Sequence, residues 1–471
     1  MDNESPGFLE PFGHDQPLSK IERVWQRRIP GTSLTRRRVA SFDLYSGISF
    51  SPIEYQWEPI DYSHLRPITA EWVREAFINF VKGEFDEGRF NPEMPYVPVV
   101  IAEADAKEGL FTDYMLSCER NLLYPYANVL VKHTEQDMTQ ALLQMFFDKE
   151  LGNEKNRKFV NTSKFDEAVS ASNERQSRLL FVLPSFAFKD QNYLRSYRSK
   201  PSEFGFGEVS LMIRLHIMSL AFYQVHPWGT DWLLATDGVF YAKMFDIDLV
   251  EAHHNFSRLR HIRNQLNLQG TVSMIDLTEI VDHYAAGCGT RYAEDRATIT
   301  KHLNDLATSD QEDVANAFAA LKRGMRQGQS TREIESELSL PELWAACMWE
   351  DLPDTFSAAA KNAHQYLDAK AREIAIQYAC ENLLLRFHQV YDKVFPENIR
   401  TTVHPKLGQI AVPTLGSCFP WNGVALLPQP DVASTDSLKV RRFYELGRHY
   451  NELVAYRDSE SQSLMFFSPA T

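Results

Sequence analysis

The chain has 471 residues, 44% hydrophobic and 12% aromatic, with a formal charge of −14. That length suits two or three domains with sizeable cores, and the negative balance speaks against a general nucleic-acid surface while leaving room for a local basic pocket. The five cysteines (Cys118, Cys288, Cys347, Cys380, Cys418) are odd in number and widely spaced, the start MDNESPGFLEPFG lacks a signal-peptide core, and no run approaches the ~20 apolar residues that span a bilayer. Reduced thiols, no membrane and a cytoplasmic location are the expectation.

Residues 1–66 show no sustained period; the basic cluster Arg36–Arg38 is either a solvated face or an anion contact. A helix is predicted from Thr69, which caps it, with Glu71 and Glu75 in its first turns. VPVVIAEA (97–104) and YANVLVKH (126–133) read as strands, followed by a helix over 134–151 with a capping-box start at Thr134.

LLFVLPSF (179–186) has the length and content of a buried strand ended by Pro184. The loop after it is cationic, with Lys189, Arg195, Arg198 and Lys200 close together. A helix-period run over 208–224, a turn at HPWGT and a strand at WLLATDG (232–238) complete a βαβ-like unit, and such units place ligands beyond the strands' carboxyl ends. A helix over 249–266 and a strand at TVSMIDL (271–277) follow. Residues 290–395 are almost entirely helix-forming, with capping boxes at Ser330/Glu333 and Ser339/Glu342 and a long periodic segment, 370–395, that Pro396 stops. NIRTTVHP, LGQIAVPTL and GVALLP are strand-like, and ELVAYRDSESQSLMFF (452–467) reads as a closing strand pair.

No complete P-loop, G-x-S-x-G elbow, C-x-x-C pair or H-E-x-x-H helix occurs. Gly205-Phe206-Gly207 is part of a dinucleotide fingerprint and equally a glycine turn at a helix start. His253-His254 and His133-x-Glu135 lack a third ligand at sensible spacing, so no metal is expected. What remains is a group of cations, imidazole and carboxylates at strand ends. Lys189 is either a solvated loop lysine or a site residue. Arg400 and His404 sit on alternate positions of one strand and share a face, as a structural pair or an anion site. Asp237 is a turn former or a site carboxylate, and Glu208 either joins the site or serves only the helix N-terminus.

LPSFAFKDQN, the FGFGE helix start and HPWGTDWLLATDGVFYAKMF resemble the isocyanide (isonitrile) synthase family, also called the pyoverdine/dityrosine biosynthesis family. IRTTVHP (399–405) resembles the family's I-R-L-S-I-H-P, and FPWNGV (419–424) its T-P-W-H-G-V. The resemblance covers roughly 140–465. It implies an α/β protein with a Rossmann-like core over 131–289, a helical insertion over 290–396, and a strand-rich part over 397–471 that completes the core; residues 1–130, which match poorly, are read as an N-terminal extension or extra domain.

Members of that family convert the α-amine of an amino acid into an isonitrile, with ribulose 5-phosphate as carbon donor and no cofactor. The resemblance therefore implies two anionic substrates and several proton transfers. Lys189, His404, Asp237 and Glu208 are the catalytic residues it points to. Arg195, Arg198, Arg400, Trp421 and Asn422 are those for substrate binding. Lys189, Arg400 and His404 are expected to converge on one cleft, crowded by Phe186, Phe188 and Trp228, which suggests a hydrophobic or aromatic amino acid. A downstream iron(II)/2-oxoglutarate oxygenase is the implied partner enzyme. Two departures stand out: the family's histidine in P-W-H-G is Asn422, and its arginine after D-G is Val239. An N-formylating enzyme of the dityrosine type, or a non-catalytic homologue that binds an amino acid or sugar phosphate, are the alternatives.

Overall fold

The computed structural model describes residues 59–84, 100–103, 118–133, 137–185, 189, 191–197, 205–266, 268–403, 406–412, 420–427, 438–447, 452–457 and 464–467. Arg36–Arg38, Thr134, Phe186, Phe188, Arg198, Lys200 and His404 lie outside them.

The strands in chain order are β1 (Val100–Glu103), β2 (Leu179–Ser185), β3 (Thr230–Thr236), β4 (Val272–Asp276), β5 (Ile399–Thr402), β6 (Ile410–Ala411), β7 (Val424–Leu427), β8 (Lys439–Arg441), β9 (Glu452–Arg457) and β10 (Leu464–Phe467). They form two sheets. The first runs β4-β3-β2-β5-β6 with every neighbouring pair parallel. β2 is a near-continuous apolar run, as suits a strand in the middle of a parallel sheet with both faces covered by helices. The second, mixed sheet runs β1-β9-β10-β7-β8, with β9 and β10 antiparallel as their intervening polar turn predicts. The α/β class read from the sequence is the observed one. The C-terminal strands divide: β5 and β6 extend the parallel sheet, whereas β7–β10 join β1 in the other.

One face of the parallel sheet carries the central helix, Phe206–Phe222, all seventeen residues of which are buried. Most of its positions are apolar, and the polar ones, Glu208, Ser210, Arg214, His216 and Ser219, are buried with them. Phe181 stacks on Trp232 at 4.4 Å between ring centroids, with Phe222 and Phe146 closing the same cluster. The helices Ala70–Glu84, Leu277–Cys288, Arg291–Ala307, Glu312–Gly328 and Ala358–Phe387 contribute to the core on the opposite face, with Val182, Leu233, Ala235 and Ile275 of the sheet. Ala70–Glu84, predicted from its Thr69 cap, packs among the helical-region helices and not apart from them.

Five local expectations are corrected. Residues 126–133 are helical (Tyr124–His133), because Tyr126, Ala127 and Leu130 make one buried face against the central helix while Asn128 points to water; tertiary packing overrides the β-branched valines. Strand β2 passes through Pro184 to Ser185. β5 pairs with β2 only at Phe181 and Val182, so on that flank Pro184 has no ladder partner for its missing N–H to deprive. Residues after Ser330 form turns, since Thr331 accepts from Tyr193 N (2.8 Å) and donates its own N–H to Gln191 O (3.3 Å). The long periodic helix starts at Ala358 and ends at Phe387. Gln389 in the left-handed region (φ 51°) breaks it and starts Val390–Val394 in a new direction. Trp228 lies before β3, at the amino edge of a parallel sheet, and donates to Asn173 Oδ1 at 3.3 Å. It therefore does not crowd the strands' carboxyl ends.

Candidate active site

The strand order of the parallel sheet reverses between β2 and β5, and ligands of open α/β sheets sit at such a reversal, beyond the carboxyl ends. Parallel register places Ser185, Thr236 and Asp276 side by side as the last residues of β2, β3 and β4. Asp237 follows directly. This row holds a concentration of unsatisfied polar atoms: Ser185 Oγ, Asp237 Oδ1, Asp276 Oδ2 and Thr278 Oγ1 are sealed from solvent with no hydrogen-bond partner among the described residues. Buried polar atoms are ordinarily paired, so four orphans at one sheet edge mark a place built for something that bonds to them.

The electrostatics agree. Burial pushes the Asp237 carboxyl up to about 7, and the neighbouring Asp276 charge adds to the shift. Burial also raises Asp276, although Thr278 N donates to its Oδ1 at 2.7 Å and works against the rise. Asp237 thus exchanges a proton near neutral pH, as a general acid or base must. Asp237 begins the short helix Gly238–Ala242 without a side-chain cap bond, which leaves its carboxyl available.

Lys189 was read as a loop residue, exposed or functional. It is buried, only 3% exposed, and its Nζ stands 3.2 Å from Glu208 Oε1 and also donates to the Gly423 carbonyl. Glu208 is at the third position of the central helix, where its Oε2 accepts from Gly205 N at 2.8 Å. Burial raises the Glu208 carboxyl and Lys189 pulls it back. The Gly205 amide is thus occupied by the chain's own carboxylate, and this glycine turn serves as a helix cap. Trp421 and Asn422 occupy the turn Pro420–Asn422 just before Gly423. The structure therefore brings Lys189, Glu208 and the Trp421–Gly423 turn together.

Arg400 lies elsewhere on the sheet. It is level with Val182, and its guanidinium carbon is 3.8 Å from the centre of the Tyr391 ring. Arg400 Nη1 is sealed from solvent without a hydrogen-bond partner among the described residues. Burial pushes the Tyr391 phenol up to about 12; Arg400 opposes the shift, and Asp237 and Asp276 reinforce it. Tyr391 thus lies within electrostatic reach of the arginine and of both strand-end carboxyls. The Tyr241 phenol, raised by burial and then by Tyr378 and Asp237, receives Asn382 Nδ2 at 3.3 Å. Arg195 is separate again: a Cβ on Gly328 would stand 3.9 Å from its Nη1, which puts it against the helical region. Val239 packs with Ala242, Ile247 and Ala252 in a small apolar cluster, so no cation belongs at that position here.

Sequence reasoning missed Ser185, Asp276, Tyr241 and Tyr391. Asp276 had a legible signal: in SMIDLTE an aspartate ends an apolar run two residues before a threonine whose N–H it caps. Tyr391 had none, because only the break at Gln389 turns it toward Arg400.

A model of the family described as "Pyoverdine/dityrosine biosynthesis protein" matches residues 169–442 of this chain. Among solved structures, the chain is similar to the PvcA protein from Pseudomonas aeruginosa at 13% identity and a TM-score of 0.47, over 70% of this chain and 100% of that one. No curated protein matches.

Proposed function

The chain belongs to the pyoverdine/dityrosine biosynthesis protein family, and on that premise we propose that it is an isonitrile synthase acting on the α-amine of an amino acid with ribulose 5-phosphate as carbon donor. The observation that carries this reading is Asp237, whose buried carboxyl titrates at about 7 beside three further orphaned polar atoms at the carboxyl edge of the parallel sheet. Condensing an amine with a ketone forms a C–N bond and expels water, and both steps need a proton donor and acceptor that exchange near neutral pH. Arg400, whose buried Nη1 has no hydrogen-bond partner among the described residues, suits a carboxylate or phosphate oxygen. The Lys189–Glu208 pair anchors the loop after β2 to the central helix and to the Trp421–Gly423 turn, which supports a positioning role for both.

A second reading, amino-acid N-formylation, is favoured by one feature: the neutral amide of Asn422 stands where the family carries a histidine, beside the Gly423 carbonyl that Lys189 holds. An amide does not relay a proton near pH 7. Mass spectrometry of incubations with a pool of amino acids and C2-labelled ribulose 5-phosphate tests both. A labelled isonitrile supports the first reading, and a labelled N-formyl product the second. Binding without turnover would leave a non-catalytic homologue.

A further inference from the structure

A cleft of about 350 Å³ opens between the segment 245–251 after β3 and the helical region at 329–333 and 366–374. None of Lys189, Asp237, Asp276 and Arg400 lines it. Three residues of its wall keep a buried side-chain oxygen with no hydrogen-bond partner among the described residues: Gln191 Oε1, Gln329 Oε1 and Glu251 Oε2. The two amides are 6% and 4% exposed. Their orientation is set, because Gln191 Nε2 donates to Lys189 O at 2.6 Å and Gln329 Nε2 to Leu367 O at 2.9 Å, which leaves oxygen as the free atom in each.

The charges around these oxygens agree in sign. Four carboxylates line the cleft against two cations. One of the cations, Lys370, is already held by Asp246 at 2.5 Å and donates to Tyr366 OH at 2.7 Å. The helix Leu249–Gln265 begins here and its amino end would attract an anion, but Asp248 Oδ1 accepts from Val250 N at 2.7 Å and Glu251 sits in the first turn. Phe245, Ile247 and Ile374 supply an apolar part of the wall.

We propose that this cleft binds the ammonium group of a primary amine with an apolar body, through the oxygens of Gln191, Gln329 and Glu251. An ammonium brings three donors and no acceptor, the complement of three oxygens without donors. The position, between two packed parts of the chain and next to the loop that carries Lys189, is where small-molecule sites commonly form. The inference does not depend on the reaction proposed above.

The test is calorimetric titration of the full chain with 2-phenylethylamine, and with 3-phenylpropionate, 2-phenylethanol and inorganic phosphate as matched probes. The expected result is saturable binding of the amine alone, weakened about tenfold or more by Glu251→Gln, which removes a charged hydrogen-bond acceptor. Glu251→Lys, at a partly exposed helix position, should abolish binding, with circular dichroism checking that both variants fold. Preferred binding of the propionate or of phosphate overturns the proposal, as does amine binding that neither variant changes, or no saturable binding of the amine. An inactive enzyme that still binds the amine would count against the proposed reaction and not against this site.

Discussion

Lys189 Nζ and Glu208 Oε1 stand 3.2 Å apart with each side chain only 3% exposed, a buried ion pair joining the loop after β2 to the first turn of the central helix. Removing one member strands the other's charge out of water, at a cost of about 3–5 kcal/mol. Lys189→Met is therefore expected to lower the urea midpoint markedly, whereas the double variant Lys189→Met/Glu208→Gln recovers much of the loss. A double-mutant cycle by urea unfolding measures this; a single variant that unfolds like wild type would refute the pairing. For an exposed loop lysine no such loss would follow, so burial reverses the expectation from sequence.

Asp237 gives a pH signature in stability. Its carboxyl rises from 3.8 when unfolded to about 7 in the fold. The native state therefore binds more protons than the unfolded state between these values, and stability falls as pH rises through that window. Its contribution is fully present below the unfolded value and gone above about 7. Asp237→Asn should be flatter than wild type from about pH 4 to pH 7. Thermal unfolding across that range checks this, and parallel curves would exclude the shift.

The same substitution should reduce turnover by about 10²–10⁴, the usual worth of one positioned proton-transfer group. Wild-type rate should titrate near pH 7 and the variant's residual rate should not. Product quantified by mass spectrometry against pH decides it, and an active Asp237→Asn enzyme would remove Asp237 from the chemistry.

Arg400→Lys keeps the charge but loses the planar fork over Tyr391. A hydrogen bond to a charged group is worth about 1.5–3 kcal/mol, so kcat/KM should fall roughly 10- to 100-fold. A rise in KM with kcat retained would identify substrate binding. An unchanged KM with a lowered melting temperature would identify a structural role.

Asn422→His restores the family's residue in the turn beside the Gly423 carbonyl that Lys189 holds. We expect it to retain or improve isonitrile formation, and His404→Asn to remove it. If the wild type yields only an N-formyl product and Asn422→His yields the isonitrile, this one amide decides where the reaction stops. Near-normal turnover in His404→Asn would clear that histidine of a proton-transfer role.

The sequence alone determined the α/β class, the parallel character of β2 and β3, the Ser339 cap and the closing hairpin of β9 and β10, because each follows from contacts within a few residues or from a period that burial imposes. The motifs at 183–245 and 399–424 likewise carried the family before any coordinates. Tertiary structure decided what the named residues do. A lysine in a polar loop is buried because Glu208 and a carbonyl more than 200 positions away meet it, and local text cannot report that. Asp276 and Ser185 joined the site through register across parallel strands, which is set by crossovers longer than any motif. Tyr391 reached Arg400 only because the chain breaks at Gln389. Local order is written in propensity and period; the titration of Asp237 and the company of Arg400 are products of desolvation by distant segments, and exist only once the chain has closed on itself.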